Sequence, residues 1–208
     1  LLSLAPGAGE LTGPTFGHDL IGPNDNDLII NYAAPGQAAI GEQIMVHGHL
    51  LDENAGPVSN ALLEFWQANA GGRYRHKKDG YLAPLDPNFG GCGRTITDAD
   101  GYYSFHTVRP GPYPWPNGGN DWRPAHIHFS CFGMGWAQRL ITQMYFEGDP
   151  HIPLCPIVQT IADPQAIDSL TARLDMAHTE PMNFRAFRFD VILRGKVSTL
   201  FENKLEGN

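Results

Sequence analysis

Arg185-Ala186-Phe187-Arg188-Phe189-Asp190-Val191-Ile192-Leu193 places Phe187, Phe189, Val191 and Leu193 at every second position, with charged residues among those between. A period of two puts those four side chains on one face of an extended chain, as in a strand with one buried side. The same reading extends backwards. Ile44, Val46 and Gly48 alternate with Met45, His47 and His49, and residues 61–67, 125–132 and 140–146 are further short apolar runs. Asp98-Ala99-Asp100-Gly101 is a turn sequence ahead of Tyr102-Tyr103-Ser104-Phe105, which predicts a hairpin. About six short strands separated by turn chemistry predict a mainly β fold, a two-sheet β-sandwich with long functional loops. One short helix is expected: Asp163 as N-cap, Pro164 at the first helical position, and Ile167, Leu170 and Leu174 at helical spacing.

Composition agrees with this class. Of 208 residues, 24 are Gly and 17 are Pro, which disfavours long helices and bundles. A net charge of -8, with 14 Lys and Arg scattered along the chain, speaks against nucleic acid or an anionic membrane surface as partner. No run approaches the roughly 20 apolar residues of a membrane span, and the first residues lack the features of a secretory signal. Three widely spaced cysteines, Cys92, Cys131 and Cys155, fit neither a disulfide framework nor a zinc site. A reducing, cytoplasmic location is the expectation. Residues 1–41 read as an N-terminal arm that packs on a partner, and residues 42–208 as the β-sandwich catalytic domain. The connections 68–93 and 108–124 are long and rich in Gly and Pro, and ordered loops of that length are usually functional.

Histidine is the first candidate for chemistry. On a strand, His126 and His128 would point to one face while Ile127 enters the core. Nine histidines in 208 residues supply about 0.4 such pairs by chance, so spacing alone decides little. His47-Gly48-His49 is a second pair and reads as strand histidines on a polar face, because no other ligand type crowds it in sequence. The 126/128 pair instead follows a loop dense in Tyr113, Trp115, Trp122 and Arg123. Asp121 and Glu147 keep a two-His, one-carboxylate site open, while Tyr74 and Tyr113 are phenolic alternatives that a hard trivalent cation would suit.

Three stretches carry a resemblance. Gln67-Ala68-Asn69-Ala70-Gly71-Gly72-Arg73-Tyr74-Arg75-His76, Gly111-Pro112-Tyr113-Pro114-Trp115 and Trp122-Arg123-Pro124-Ala125-His126-Ile127-His128-Phe129 resemble the intradiol ring-cleaving dioxygenases. The similarity is greatest to β-type chains of the protocatechuate-cleaving branch and runs over about residues 10 to 203. It implies a non-haem ferric ion held by Tyr74, Tyr113, His126 and His128, with Tyr113 the ligand that gives way to substrate. It further implies catalytic roles for Arg123 and Gln143, substrate contacts from Trp115, Tyr145, Ile157 and Trp66, and a homologous α chain in a hetero-oligomer. The substrates would be a small aromatic diol and dioxygen. β-Type chains also carry an N-terminal tyrosine directed at the substrate carboxylate, which has no counterpart in these residues. Two other readings are weighed against this one. The same chemistry on another catechol or on hydroxyquinol goes with an N-terminal helical segment, and no helical periodicity precedes residue 60. A metal-free, transthyretin-like β-sandwich binding module would be colourless.

Overall fold

A computed structural model describes residues 21–116, 119–133 and 139–200. Eleven strands dominate them: β1 (Gln43–Leu51), β2 (Leu62–Gln67), β3 (Cys92–Ile96), β4 (Tyr102–Val108), β5 (Tyr113–Pro114), β6 (Trp122–Arg123), β7 (His126–Phe132), β8 (Arg139–Phe146), β9 (Thr171–Glu180), β10 (Phe184–Arg188) and β11 (Val191–Ile192). Two layers follow from the pairing. In one, β2 lies between β3 and β7, and β7 pairs with β8, all antiparallel. In the other, β1 lies between β4 and β10, and β10 pairs with β9. Strand β9 joins the layers. Its first residues, Thr171 and Ala172, pair with Tyr145 and Phe146 of β8, and from Arg173 onward it pairs with β10.

Alternation along the strands builds the core between the layers. Phe65 of β2 stacks on Phe105 of β4 with ring centroids 3.8 Å apart, and Phe129 of β7 packs against Tyr103, Phe105 and Phe189. All five rings are buried. Each fully buried side chain of this size stabilises the fold by about 1.5–3 kcal/mol, so this cluster ties the two sheets together.

The run 185–193 has the expected facing, since Phe187, Phe189, Val191 and Leu193 are all buried. It is nevertheless two strands. Phe189 donates its backbone N–H to the His47 carbonyl, but the Asp190 side chain, not a main-chain carbonyl, accepts from His49 N at 2.9 Å. The parallel register with β1 resumes at Leu50 and Val191.

Two expectations need correction. The turn at 98–101 does not close a hairpin: β3 pairs with β2 and β4 with β1, so the turn carries the chain from one sheet to the other. The helix α1 spans only Pro164–Ser169. Asp163 does cap it, accepting from Gln165 N at 2.9 Å. Leu174 lies instead on β9, because Thr171 to Leu174 find ladder partners on β8 and β10 that outweigh a further helical turn. Two 3-10 turns, Ile152–Leu154 and Val158–Thr160, fill the connection before α1.

Of the lead-in, residues 1–20 lie outside the described residues. Leu28 and Ile29 are buried in the sandwich, and Leu28 N donates to the His106 carbonyl at 2.8 Å. This segment therefore closes the side of the sandwich where β3 and β4 diverge.

The three cysteines are free thiols. Cys131 is wholly buried and its pKa is pushed up to about 12 by that burial. Burial around the sulfur, then the Glu64 carboxylate, also raises that of surface-exposed Cys92. A thiol reagent at pH 8 is expected to modify one cysteine of the native protein, Cys92, and slowly. Cys131 and Cys155 should react only after denaturation. Mass spectrometry of the labelled protein checks this, and two fast-reacting native thiols would contradict it.

Candidate active site

Strand register assembles the site before any loop is considered. His128 of β7 lies opposite Trp66 of β2 on one side and Gln143 of β8 on the other, and His126 lies opposite Tyr145. All five are on the face turned away from the core, while Ile127, Phe129 and Phe65 point inward and are buried. The Trp66 indole stacks on the His128 imidazole, with centroids 4.9 Å apart and planes 1° from parallel. One ring orientation is thereby fixed by packing. His126 is fixed by a hydrogen bond: its Nδ1 is 2.7 Å from the Pro124 carbonyl. A carbonyl only accepts, so Nδ1 carries the proton and Nε2 presents its lone pair.

Two loops bring the tyrosines over this face. Tyr74 Oη lies 3.1 Å from His128 Nε2 and 3.3 Å from His126 Nε2. Tyr113 Oη lies 3.3 Å from His126 Nε2. The loop before Tyr74 is organised by Asn69, whose Oδ1 accepts from Gly71 N and Arg73 N and whose amide donates to the Pro84 carbonyl. Tyr74 N itself donates to Asp79 at 2.8 Å. Tyr113 is held through β5, where it pairs with Arg123 of β6. The loops touch backbone to backbone. Gly72 has φ +82°, and a Cβ there would stand 2.2 Å from the Pro112 carbonyl oxygen. A Cβ at Gly111 would stand 2.5 Å from the Ala70 carbonyl oxygen. Both positions exclude any side chain.

Arg123 is 1% exposed. Its guanidinium donates to Gln143 Oε1 and reaches Tyr145 Oη at 3.5 Å, and Tyr145 Oη donates to Gln143 at 3.1 Å. The guanidinium carbon lies 5.5 Å from the Trp115 ring centroid. Glu147, one of the two carboxylates that kept a two-His, one-carboxylate site open, instead accepts from Leu174 N and lies 3.5 Å from Arg173. Ile157 does not join the cluster of aromatic and imidazole rings. It packs in a small apolar group with Cys155, Val158, Leu170 and Tyr145, so it borders the site through Tyr145.

Two phenol oxygens and two imidazole nitrogens, linked in a chain by oxygen-to-nitrogen distances of 3.1 to 3.3 Å, form a donor set for a cation. Ligands bound at about 2 Å and near right angles stand about 3 Å apart, which matches this spacing. Phenolates with neutral imidazoles suit a hard trivalent ion. Sequence reading passed over Asn69, Asp79 and Asp149. Asp149 accepts from Ala125 N at 3.0 Å and so sets the start of β7. The Asn-x-Gly-Gly turn before Tyr74 was the available signal for the first.

A family model described as Dioxygenase matches residues 11–195. The chain belongs to the intradiol ring-cleavage dioxygenases. It is 50% identical over 189 residues to the protocatechuate 3,4-dioxygenase beta chain of Burkholderia cepacia, covering 91% of this chain and 80% of that one. It is 34% identical over 165 residues to the protocatechuate 3,4-dioxygenase alpha chain of Pseudomonas putida, covering 78% and 77% respectively. Among solved structures, the dioxygenase domain of a carbohydrate-binding fusion from a Streptomyces species superposes with TM-score 0.58 at 27% identity, over 87% of this chain and 93% of that one. Hydroxyquinol 1,2-dioxygenase from Pseudomonas putida superposes with TM-score 0.60 at 25% identity, over 87% and 64%.

Substituting Gly72→Ala is expected to force the two tyrosine loops apart. Stability should fall by about 3 kcal/mol, read by urea denaturation, and metal content should drop at least several-fold. Full metal content in this variant would mean that the loops are placed independently.

Proposed function

We propose that the chain is the catalytic β-type subunit of an enzyme that cleaves protocatechuate between its two hydroxylated carbons, adding both atoms of dioxygen to give 3-carboxy-cis,cis-muconate. The observation that carries this reading is the approach of Tyr74 Oη to both imidazole nitrogens, with Tyr113 Oη on one of them. Half-identity to a protocatechuate 3,4-dioxygenase beta chain over most of both chains supports the substrate. In this reading Tyr74, Tyr113, His126 and His128 hold a non-haem ferric ion. When bound, that ion supplies Lewis acidity, which lets phenols ionise near neutral pH and draws electron density from a chelated catechol.

The chain's own residues do the rest. Tyr113 sits on a two-residue strand and is the donor that can swing aside, taking a catechol proton at its Oη as it does so. Tyr74, Trp66-stacked His128 and Pro124-bonded His126 stay in place. Arg123 is buried beside them with its charge already oriented by Gln143 and Tyr145, and it stabilises negative charge that develops on the substrate oxygens and ring. Trp115, over which the guanidinium lies, offers a flat apolar wall to an aromatic substrate, and Tyr145, in the apolar group that Ile157 packs against, is a further substrate contact in this reading. A homologous α chain completes the assembly, which the likeness to both a beta and an alpha chain of protocatechuate 3,4-dioxygenases supports. Among the described residues, no helix is long and apolar enough to cross a membrane, and a cytoplasmic site of action accords with three free thiols.

The visible spectrum of the purified protein is the direct test. Tyrosinate-to-iron charge transfer should colour it red, and anaerobic protocatechuate should shift the band. A folded, iron-free, colourless protein would overturn the proposal in favour of a metal-free binding module, and faster turnover of catechol or hydroxyquinol would move the substrate. Tyr74→Phe and His128→Ala should each lower iron content and bleach the colour. Arg123→Gln should keep the iron and colour but lower kcat about 100-fold. An unchanged kcat in that variant would remove Arg123 from the catalytic set.

A further inference from the structure

The histidine pair that sequence reading set aside has company in space. His47 lies on β1 with its side chain on the outer face of its sheet, since Ile44 and Val46 face the core. It is nevertheless only 3% exposed. Its cover comes from β9. Between the pairs Ala186↔Asp175 and Phe184↔Glu180 the register shifts, so residues 176–179 of β9 bulge outward. Bulges of this kind re-aim side chains. Here Asp175 Oδ1 accepts from Ala177 N at 2.9 Å, and the Thr179 hydroxyl donates to the Asp175 carbonyl at 2.8 Å. The bulge is thus held by its own bonds, and Asp175 Oδ2 remains directed at the two imidazoles.

His178 Nδ1 is 2.9 Å from that oxygen and His47 Nε2 is 3.2 Å from it. The two imidazole rings stand 4.5 Å apart. His47 Nε2 is buried and, although at ion-pair distance from Asp175, makes no hydrogen bond in the structure. The three ligand atoms all lie within 4.8 Å of one another. Arg188, the β10 neighbour of His47, has its guanidinium turned to Asp190 at 2.9 Å. Tyr102 borders His47 on the β4 side, with ring centroids 5.9 Å apart.

We propose that His47, Asp175 and His178 form a second metal site, for a divalent ion of the zinc type, separate from the tyrosine-histidine site. Two imidazoles and one carboxylate are a zinc donor set. His178 is a little over half exposed, which leaves room for water as a fourth ligand. The ion would clamp the β9 bulge to β1, a structural role, and the proposal does not depend on the iron assignment.

The test is a zinc titration of the iron-loaded protein, followed by calorimetry and thermal melting, with anomalous diffraction at the zinc edge. One equivalent of zinc beyond the iron is expected, with an anomalous peak between the three side chains. Tm should rise by about 5–10 °C at a hundredfold excess of zinc over Kd. His178→Ala, at an exposed position, should weaken zinc binding at least 10-fold and abolish the Tm rise while leaving iron content and colour intact. Asp175→Asn should act likewise. No zinc uptake, or uptake unaltered in His178→Ala, would overturn the proposal and leave the three side chains a hydrogen-bonded cluster.

Discussion

A strand paired on both edges cannot slip by one residue without turning its whole pattern inside out. Strand β7 is such a strand, locked between β2 and β8. Ile127 and Phe129 must stay in the core, so His126 and His128 must stay on the opposite face, one repeat apart. Everything else in the candidate site is placed relative to that pair. Trp66 and Gln143 flank His128 because of register alone, and Tyr145 flanks His126 for the same reason.

What register cannot supply, the loops add by close backbone contact. Each tyrosine is delivered by a segment with few options of its own: one closed around Asn69, the other bounded by prolines. Gly72 and Gly111 then let the two segments meet without intervening side chains. Packing of this kind is stiff, which suits a site whose loop backbones must hold their places while a single side chain, Tyr113, gives way. The Pro124 carbonyl adds a chemical constraint, since by fixing the His126 tautomer it fixes which nitrogen faces the phenols.

Much of this was legible in the sequence, and the limits have physical causes. Period-two patterns located β1 and the paired runs of β10 and β11, and short apolar runs located β2, β7 and β8, because burying a strand leaves a local trace. Strand β3 left none: Cys92 is exposed, no residue of the strand is fully buried, and Cys92-Gly93-Arg94-Thr95-Ile96 shows no apolar alternation. Strand β9 was hidden because Ile167, Leu170 and Leu174 happen to match helical spacing across a helix-to-strand junction. The turn at 98–101 was read correctly as a turn, but whether a turn closes a hairpin or crosses between sheets depends on partners more than 30 residues away. The site was legible mainly through long motifs shared with a family. The bare His-x-His spacing was weak, and it was equally weak for 47/49, whose neighbours Asp175 and His178 lie far off in the chain.

The switch of β9 from one layer to the other gives the molecule an asymmetry. All the tyrosine and histidine donors of the candidate active site and their flanking side chains belong to the sheet of β2, β7 and β8 or to segments that cover it, while β4, β1 and β10 give that site no side chain and face the core with residues such as Val46, Phe105 and Phe187. The second sheet behaves as ballast: it covers the inner face of the first, yet nothing on its outer surface is spoken for by the ring chemistry. That surface can change over generations, gaining a ligand, a contact or a charge, without disturbing the distances on which ring cleavage would depend.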